Sequence, residues 1–360
     1  MKPLKLSIPA MVLMSGLLAA VTPHAPRSAT AAETGDPAAE ATGDQDRPLL
    51  KLGLIGCDTS HVTAFSERFH NPEHRHHVPG ARVVAAWAGG SDDLPTSRDR
   101  VDGYVEALKE QHHVEFHDTP AGVVEQVDAV LVTTVDGRPR LEIAREILPL
   151  GKPVFFDKPI AGSLADAVKI FLLAEEHGVP VFTASSLHWY EGVREVAEAG
   201  VGQVTGAVSW GPSPIEPTHP DLFFYGIHPT TSLFEVLGYG CRSVVRTDGD
   251  GALVVTGRWS DGRVGTMHGM TEGRFTYQVT KFGHDGIAAQ DKGGDYGPML
   301  RVVLDFFHSG EPPISAAETL ELYAFMEAAD ESKRRGGVPV SLREVLEAVD
   351  CPERWLPPAE

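Results

Sequence analysis

The chain has 360 residues, of which 42% are hydrophobic and 22% charged, so it has enough apolar material for two globular domains. Its 50 acidic residues against 31 lysines and arginines give a net charge of −19, which argues against nucleic acid and anionic membrane surfaces as partners. The three cysteines, Cys57, Cys241 and Cys351, are too few and too widely spaced for a disulfide framework or a structural zinc site.

The first 32 residues have the three-part pattern of a Sec-type signal peptide. Lys2 and Lys5 precede an apolar stretch at 8–21, and small residues that suit a signal peptidase follow it. Residues 33–48 are rich in alanine, glycine and acidic residues, which predicts a flexible linker. We therefore expect an exported protein, periplasmic or extracellular; the alternative is a disordered cytoplasmic N-terminus.

Between residues 49 and 186, predicted strands alternate with predicted helices. The first strand is a continuous apolar run that ends in glycines, as expected for a buried parallel strand. The strands are predicted at 49–56, 81–87, 114–116, 129–133, 153–156 and 180–183, and the helices at 59–69, 99–111, 120–126, 140–148 and 164–177. This alternation predicts a doubly wound parallel sheet of the Rossmann type, which binds ligands at the carboxyl ends of its strands.

After residue 186, short alternating runs separated by Gly- and Asp-rich turns predict antiparallel sheet. These runs lie at 204–210, 243–247, 252–259, 264–270 and 275–282, with helices predicted at 230–237, 298–308 and 316–334. We therefore expect an α/β protein. A Rossmann-like domain spans 49–186, a C-terminal α+β domain with an open, mainly antiparallel sheet spans 187–336, and a tail follows at 337–360.

Asp157, Lys158 and Pro159 follow a buried apolar strand, and a lysine in a cleft can donate to a substrate hydroxyl and exchange its proton. The alternative is a solvated loop lysine.

Residues 127–167, VDAVLVTTVDGRPRLEIAREILPLGKPVFFDKPIAGSLADA, resemble the fourth strand, the next helix and the Glu-Lys-Pro segment of the Gfo/Idh/MocA family of oxidoreductases. The resemblance runs from about 52 to 336 and implies NAD or NADP as cofactor. By this match Lys158 is the catalytic lysine, and Asp157 stands where the family has glutamate.

Residues 225–238, YGIHPTTSLFEVLG, resemble the family's helix that opens with a histidine. The match implies that His228 is the acid/base or substrate-orienting residue, and its ordinary pKa near neutrality suits that role. The alternative is a histidine satisfied by backbone at a helix N-terminus. The family's acid falls on Phe224 here, and Tyr225 or Asp221 are candidates to replace it. Tyr225 is accordingly counted with the catalytic residues.

The family's Gly-x-Gly-x-x-Gly turn reads GCDTSH at 56–61 and keeps only the first glycine. Asp58 stands at the second position, where it would repel a pyrophosphate unless it turns away, and His61 stands at the third. Asp58, Thr59 or Ser60 can instead cap the following helix. The helix N-terminus still offers free N–H groups to an anion.

The resemblance and the predicted strand ends together give a set of cofactor-binding candidates, with a turn-forming Asp-Gly as an equal alternative for Asp136. The set is Gly53, Gly56, Asp58, Thr59, Ser60, His61, Thr133, Asp136, Asp157 and Lys158. The choice between NAD and NADP stays open, because no acid ends the second strand and Arg98 and Arg100 can equally meet a 2′-phosphate.

His188, His219 and Asp221 are candidates for the substrate pocket; for His188, ordinary packing at a domain junction is the alternative. The histidines within 70–77 lie in a predicted loop without a fixed scaffold, so we predict no metal site. The expected partner is a small sugar or polyol; no nucleic acid or membrane insertion of the mature chain is expected, and a homo-oligomer stays open.

The sequence favours hydride transfer between a nicotinamide cofactor and a secondary alcohol of a sugar or polyol, with Lys158 and His228 managing the hydroxyl proton. Two alternatives remain. A redox-assisted glycoside-cleaving enzyme with tightly held NAD would suit export, because free nicotinamide is scarce outside the cytoplasm. A sugar-binding protein that has lost its cofactor would explain the altered glycine turn.

Overall fold

The computed structural model describes residues 48–358, so the predicted signal peptide and nearly all of the predicted linker lie outside the described residues. The described residues fall in one compact unit. Among them, no helix is both long and apolar enough to cross a membrane.

The first half of the chain forms a six-stranded parallel sheet, as the alternating pattern predicts. Its strands are β1 (Leu50–Ile55), β2 (Ala81–Trp87), β3 (Glu115–Phe116), β4 (Ala129–Val132), β5 (Val154–Asp157) and β6 (Val181–Ala184). Its helices are α1 (His61–His70), α2 (Pro95–Arg98), α3 (Val101–His112), α4 (Pro120–Val124), α5 (Arg140–Ile147) and α6 (Leu164–His177). The strand order is β3-β2-β1-β4-β5-β6, so the direction of winding reverses between β1 and β4. Folds of this kind bind their ligands at that reversal.

The second half forms a seven-stranded sheet in the order β12-β11-β7-β10-β9-β8-β13, antiparallel except between β7 and β10. Its strands are β7 (Val204–Pro212), β8 (Cys241–Gly249), β9 (Ala252–Trp259), β10 (Val264–Met270), β11 (Gln278–Gly283), β12 (Ile287–Ala289) and β13 (Val340–Ser341). Its helices are α7 (Glu191–Glu198), α8 (Ile227–Leu237), α9 (Tyr296–Ser309), α10 (Ala316–Arg334) and α11 (Leu342–Glu347). The predicted fold class is therefore confirmed.

Alternate residues of the central strands enter two different cores, one on each face of the first sheet. On β5, Val154 and Phe156 join one core and Phe155 joins the other. Because helices cover both faces, these strands are continuous apolar runs. The helix α9 comes from the second half, yet it packs Met299 and Phe306 into the core that contains Phe155. One face of the first sheet is therefore covered in part by a helix from the second half of the chain.

Several details differ from the predicted elements, and the main ones are these. The first helix begins at His61 and not at residue 59, and the short helix α2 and the helix α7 were not predicted. The stretch expected to be a tail contains β13, which pairs with β8 through Val340 and Val244.

The first fingerprint glycine is needed, because Gly56 has a φ of +94° and a Cβ there would lie 2.3 Å from Thr134 Cγ2.

Candidate active site

A cavity of about 210 Å³ lies at the carboxyl ends of the parallel strands. Both halves of the chain line it, with Thr59, Ser60, His61, Arg100 and Lys158 from the first half and Tyr225, His228, Tyr277 and Tyr296 from the second. The structure therefore brings the predicted lysine, histidine and tyrosine together in one pocket.

Lys158 directly follows β5 and is buried, with 8% of its surface exposed. Burial lowers the pKa of the Lys158 ammonium to about 8, and the charges of Arg140 and Arg100 add to this, against the opposing effect of Asp157. The Nζ atom lies 5.0 Å from the centroid of the Tyr225 ring, which favours the charged form. Both protonation states of Lys158 are therefore accessible near pH 8.

The turn that carries Lys158 is held by Arg140 of α5, which is completely buried. The Arg140 guanidinium donates to the carbonyl oxygens of Thr134, Asp157 and Pro159, and to Thr134 Oγ1 at 2.9 Å. Asp157 Oδ1 also accepts a hydrogen bond from the Lys158 backbone N–H at 2.9 Å. These bonds fix the position from which the Lys158 side chain enters the cavity.

His61 and Asp157 form a pair that sequence reasoning missed, because each was counted only as a cofactor contact. His61 Nδ1 and Asp157 Oδ2 share a hydrogen bond of 2.5 Å. Burial opposes ionisation of Asp157, but the charges of His61, Lys158 and Arg140 outweigh it and lower the pKa of this carboxyl. The carboxylate therefore fixes the His61 ring at the wall of the cavity, 5.0 Å from the Tyr296 ring.

His228 lies in the first turn of α8 and is buried. Its Nδ1 shares a 2.8 Å hydrogen bond with Ser185 Oγ, and its ring lies 5.4 Å from the Tyr277 ring and 5.7 Å from that of Tyr225. Burial, followed by the charges of Lys158 and His61, lowers the pKa of His228 well below its usual value. At neutral pH the ring is uncharged, so His228 suits hydrogen bonding to a ligand better than the proton exchange expected from its ordinary pKa.

Asp136 and His219 are buried together outside the cavity lining. Asp136 Oδ1 lies 3.1 Å from His219 Nε2, and the same carboxylate accepts hydrogen bonds from Arg138. Arg138 in turn reaches Asp93 through two bonds of 2.8 Å. Burial raises the pKa of Asp136, but the hydrogen bonds from His219 and Arg138 lower it further than burial raises it. This network links the two halves of the chain.

His188 and Asp221, the other proposed substrate contacts, also have partners away from the cavity. His188 Nδ1 lies 3.0 Å from Glu235 Oε2, while Asp221 Oδ2 accepts from Arg246 and Lys333 at 2.7 Å each. Packing at the junction therefore describes His188 better than substrate contact does, and neither His219 nor Asp221 lines the cavity.

Two predicted cofactor contacts, Thr133 and Gly53, support the framework. Thr133 is buried and its hydroxyl donates to the Gly56 carbonyl at 2.6 Å. Gly53 lies inside β1, beside Val123. Neither residue lines the cavity.

Asp58 turns inward and is fully buried. Its carboxylate accepts from Ser97 Oγ at 2.6 Å and from the Val135 N–H at 2.8 Å. It does not cap α1, whose N-cap residue, Ser60, makes no side-chain capping bond either. The fully buried Leu94, three residues before Ser97, packs with Val135 and Phe224.

Comparisons with known proteins agree with this architecture. Residues 50–185 match the Gfo/Idh/MocA family model, described as an oxidoreductase family with an NAD-binding Rossmann fold. This match confirms the resemblance, the oxidoreductase class and the nicotinamide cofactor that the sequence predicted. No curated relative matches the sequence.

Solved structures share the fold across both halves of the chain. A probable dehydrogenase from Thermotoga maritima is 19% identical, with a TM-score of 0.67 over 82% of this chain and 100% of that one. The myo-inositol dehydrogenase from Lactobacillus casei, in complex with NAD(H) and myo-inositol, is 15% identical, with a TM-score of 0.64 over 81% of this chain and 96% of that one. At these identities the similarity shows the fold alone.

The crevice between β1 and β4 does not fit a dinucleotide in this conformation. Asp58 occupies the position at which a glycine would let the backbone approach the pyrophosphate. Ser97 donates to this carboxylate, and Leu94 packs with Val135, whose N–H also donates to it. The cavity that remains is below the ~300–1,000 Å³ typical of pockets for larger ligands.

Proposed function

Residues 50–185 belong to the Gfo/Idh/MocA family of NAD-binding oxidoreductases, and we propose that this member acts on a secondary hydroxyl of a sugar or polyol. One observation carries the proposal: Lys158, whose pKa is lowered to about 8, and the neutral His228 line the same small cavity. A secondary hydroxyl needs one group that takes its proton and another that holds it in place.

The size and lining of the cavity suit a small polyhydroxylated ligand. Its volume of about 210 Å³ is lined by the rings of Tyr225, Tyr277 and Tyr296. Aromatic faces pack against the C–H groups of a sugar or cyclitol ring, while the tyrosine, histidine and lysine polar atoms exchange hydrogen bonds with its hydroxyls. A relative by fold, the Lactobacillus casei enzyme in complex with myo-inositol, supports cyclitols as the first ligands to test.

The protonation states of Lys158 and His228 suit them to different roles. The neutral amine of Lys158 accepts the proton of the ligand hydroxyl, and the ammonium returns it in the reverse direction. The uncharged His228, fixed through Ser185, orients the hydroxyl by a hydrogen bond. The Asp157 carboxylate holds His61 as a further hydrogen-bonding group at the wall.

Binding of myo-inositol and D-glucose, measured by isothermal titration calorimetry, tests this proposal. We expect saturable binding of at least one of them, weakened at least about tenfold in His228→Gln, because the glutamine amide cannot occupy the position of the imidazole. The matched control is His284→Gln, since His284 is exposed and lies outside the cavity lining. Equal affinity in His228→Gln and His284→Gln, or no saturable binding of either compound, would contradict the proposal.

We further propose that the chain is exported, on the strength of the basic residues, apolar stretch and small residues at 1–32. Expression of the full chain in a bacterial host should then give a periplasmic or secreted protein that lacks this segment. N-terminal sequencing of the purified protein measures this, and an intact N-terminus in the cytoplasmic fraction would contradict it.

A further inference from the structure

We propose that residues 89–100 are a built-in plug of the dinucleotide crevice, and that this plug must leave before NAD or NADP binds. The apparent affinity for the cofactor is then reduced by the small fraction of molecules in which the plug is open. This inference concerns the crevice between β1 and β4 and does not rest on the identity of the ligand in the cavity.

The chain enters the plug by turning directly over the β1–α1 connection. The Cys57 N–H donates to the Ala88 carbonyl at 2.6 Å, and Gly89 and Gly90 have φ values of +62° and +112°. A Cβ on Gly89 would lie 3.1 Å from Gly56 Cα, so the two turns are in close contact. The segment therefore starts at the place where a dinucleotide-binding turn needs open space.

The plug fills the crevice with buried side chains. Leu94 is fully buried and packs with Val135, at the end of β4, and with Phe224 from the second half of the chain. Ser97 is also fully buried, accepts from the Ser91 N–H at 2.8 Å and donates to Asp58 at 2.6 Å. The filled space lies at the reversal between β1 and β4, which is where this fold class places its ligand.

Asp58 binds the plug through a hydrogen bond from Ser97. Its two carboxylate oxygens are satisfied separately, one by Ser97 and the other by the Val135 N–H. Opening the plug breaks the first bond, and a bond between two fully buried groups favours the closed state. Once the plug is open, the same carboxylate faces the cofactor's pyrophosphate, which it repels. Asp58 therefore opposes cofactor binding in both states.

A second anchor ties the plug to the other half of the chain. Asp93 binds Arg138 through two hydrogen bonds, Arg138 binds Asp136, and Asp136 binds His219. Because Asp93 is exposed, its pair with Arg138 contributes little by itself, and the buried contacts of Leu94 and Ser97 decide the closed state.

Titration of the purified full chain with NADH and with NADPH, followed by fluorescence, tests the plug. The variant Asp58→Gly removes the carboxylate that binds Ser97 and that would repel the pyrophosphate. The double variant Leu94→Ala/Ser97→Ala weakens the contacts of the plug while keeping Asp58. Asp99→Ala is the matched control, because Asp99 belongs to the same segment but is exposed and pairs with Arg98. We expect the wild type and Asp99→Ala to bind weakly, and both other variants to bind at least about tenfold more tightly.

The outcomes separate clearly. Low-micromolar binding by the wild type, or a nicotinamide cofactor retained through purification, would overturn the plug. Unchanged cofactor affinity in a folded Asp58→Gly or Leu94→Ala/Ser97→Ala protein would also overturn it. Circular dichroism checks that each variant is folded, and the double variant alone decides the test if Asp58→Gly does not fold. Calorimetry with myo-inositol and D-glucose on the wild type and His228→Gln tests the sugar site through a residue outside the plug, so failure of the plug and failure of the proposed sugar site are distinguishable.

Discussion

Replacing Lys158 by alanine is expected to lower the oxidation rate of the bound polyol by about 10²–10⁴-fold, the usual contribution of a positioned proton-transfer group. The side chain is the cavity group whose pKa, lowered to about 8, lets it take up and release a proton under ordinary assay conditions. The measurement is the increase in NADH absorbance with myo-inositol or D-glucose at millimolar NAD⁺, with circular dichroism to check the fold.

The variant Lys158→Arg separates charge from proton exchange. Arginine keeps the positive charge but does not deprotonate in proteins. In the wild type the oxidation rate should rise as pH increases through about 8, because the neutral amine is the form that accepts the hydroxyl proton and it predominates above the pKa. We expect Lys158→Arg to lose this rise together with most of the rate. A retained rate and a retained pH profile would remove Lys158 from proton transfer.

Replacing Arg140 by leucine is expected to lower the free energy of unfolding by about 3–5 kcal/mol, as for other buried charged groups removed from their partners. The carbonyl oxygens of Thr134, Asp157 and Pro159 would lose their donor in a fully buried position. Urea denaturation followed by circular dichroism measures the loss.

Arg145→Leu is the matched control for Arg140, because both arginines lie on α5. Arg145 is exposed and pairs with Glu142, which is more exposed still, so its replacement should change the free energy of unfolding by less than about 1 kcal/mol. Similar urea midpoints for the two variants would show that the buried hydrogen bonds of Arg140 contribute little to stability.

The parallel sheet could be predicted because its pattern is local. Buried runs without a charged residue occur at 52–55 in β1, throughout β4 and at 154–156 in β5, since helices cover both faces of these strands. The helix α2 was missed because it has only four residues, begins with Pro95 and buries one side chain, Ser97. Its position depends on Asp58, which lies 39 residues away in the sequence.

The candidate site could be predicted only where a motif carried it. Lys158 and His228 were found through segments that resemble a family, and they line one cavity. The bond between His61 and Asp157 joins residues 96 positions apart, and no local pattern indicates such a pair. His219 has the residue type of a ligand contact, but a buried histidine beside a carboxylate such as Asp136 serves equally well as a structural link.

A crystal structure of the protein soaked with myo-inositol or D-glucose would show whether Lys158 and His228 contact the same ligand hydroxyl. We predict a ring in the cavity between Tyr225 and Tyr277, with one secondary hydroxyl in hydrogen-bonding range of both Lys158 Nζ and the His228 ring. A ligand bound elsewhere, or one in the cavity whose hydroxyls contact neither of these two groups, would show that Lys158 and His228 do not act on the ligand hydroxyl.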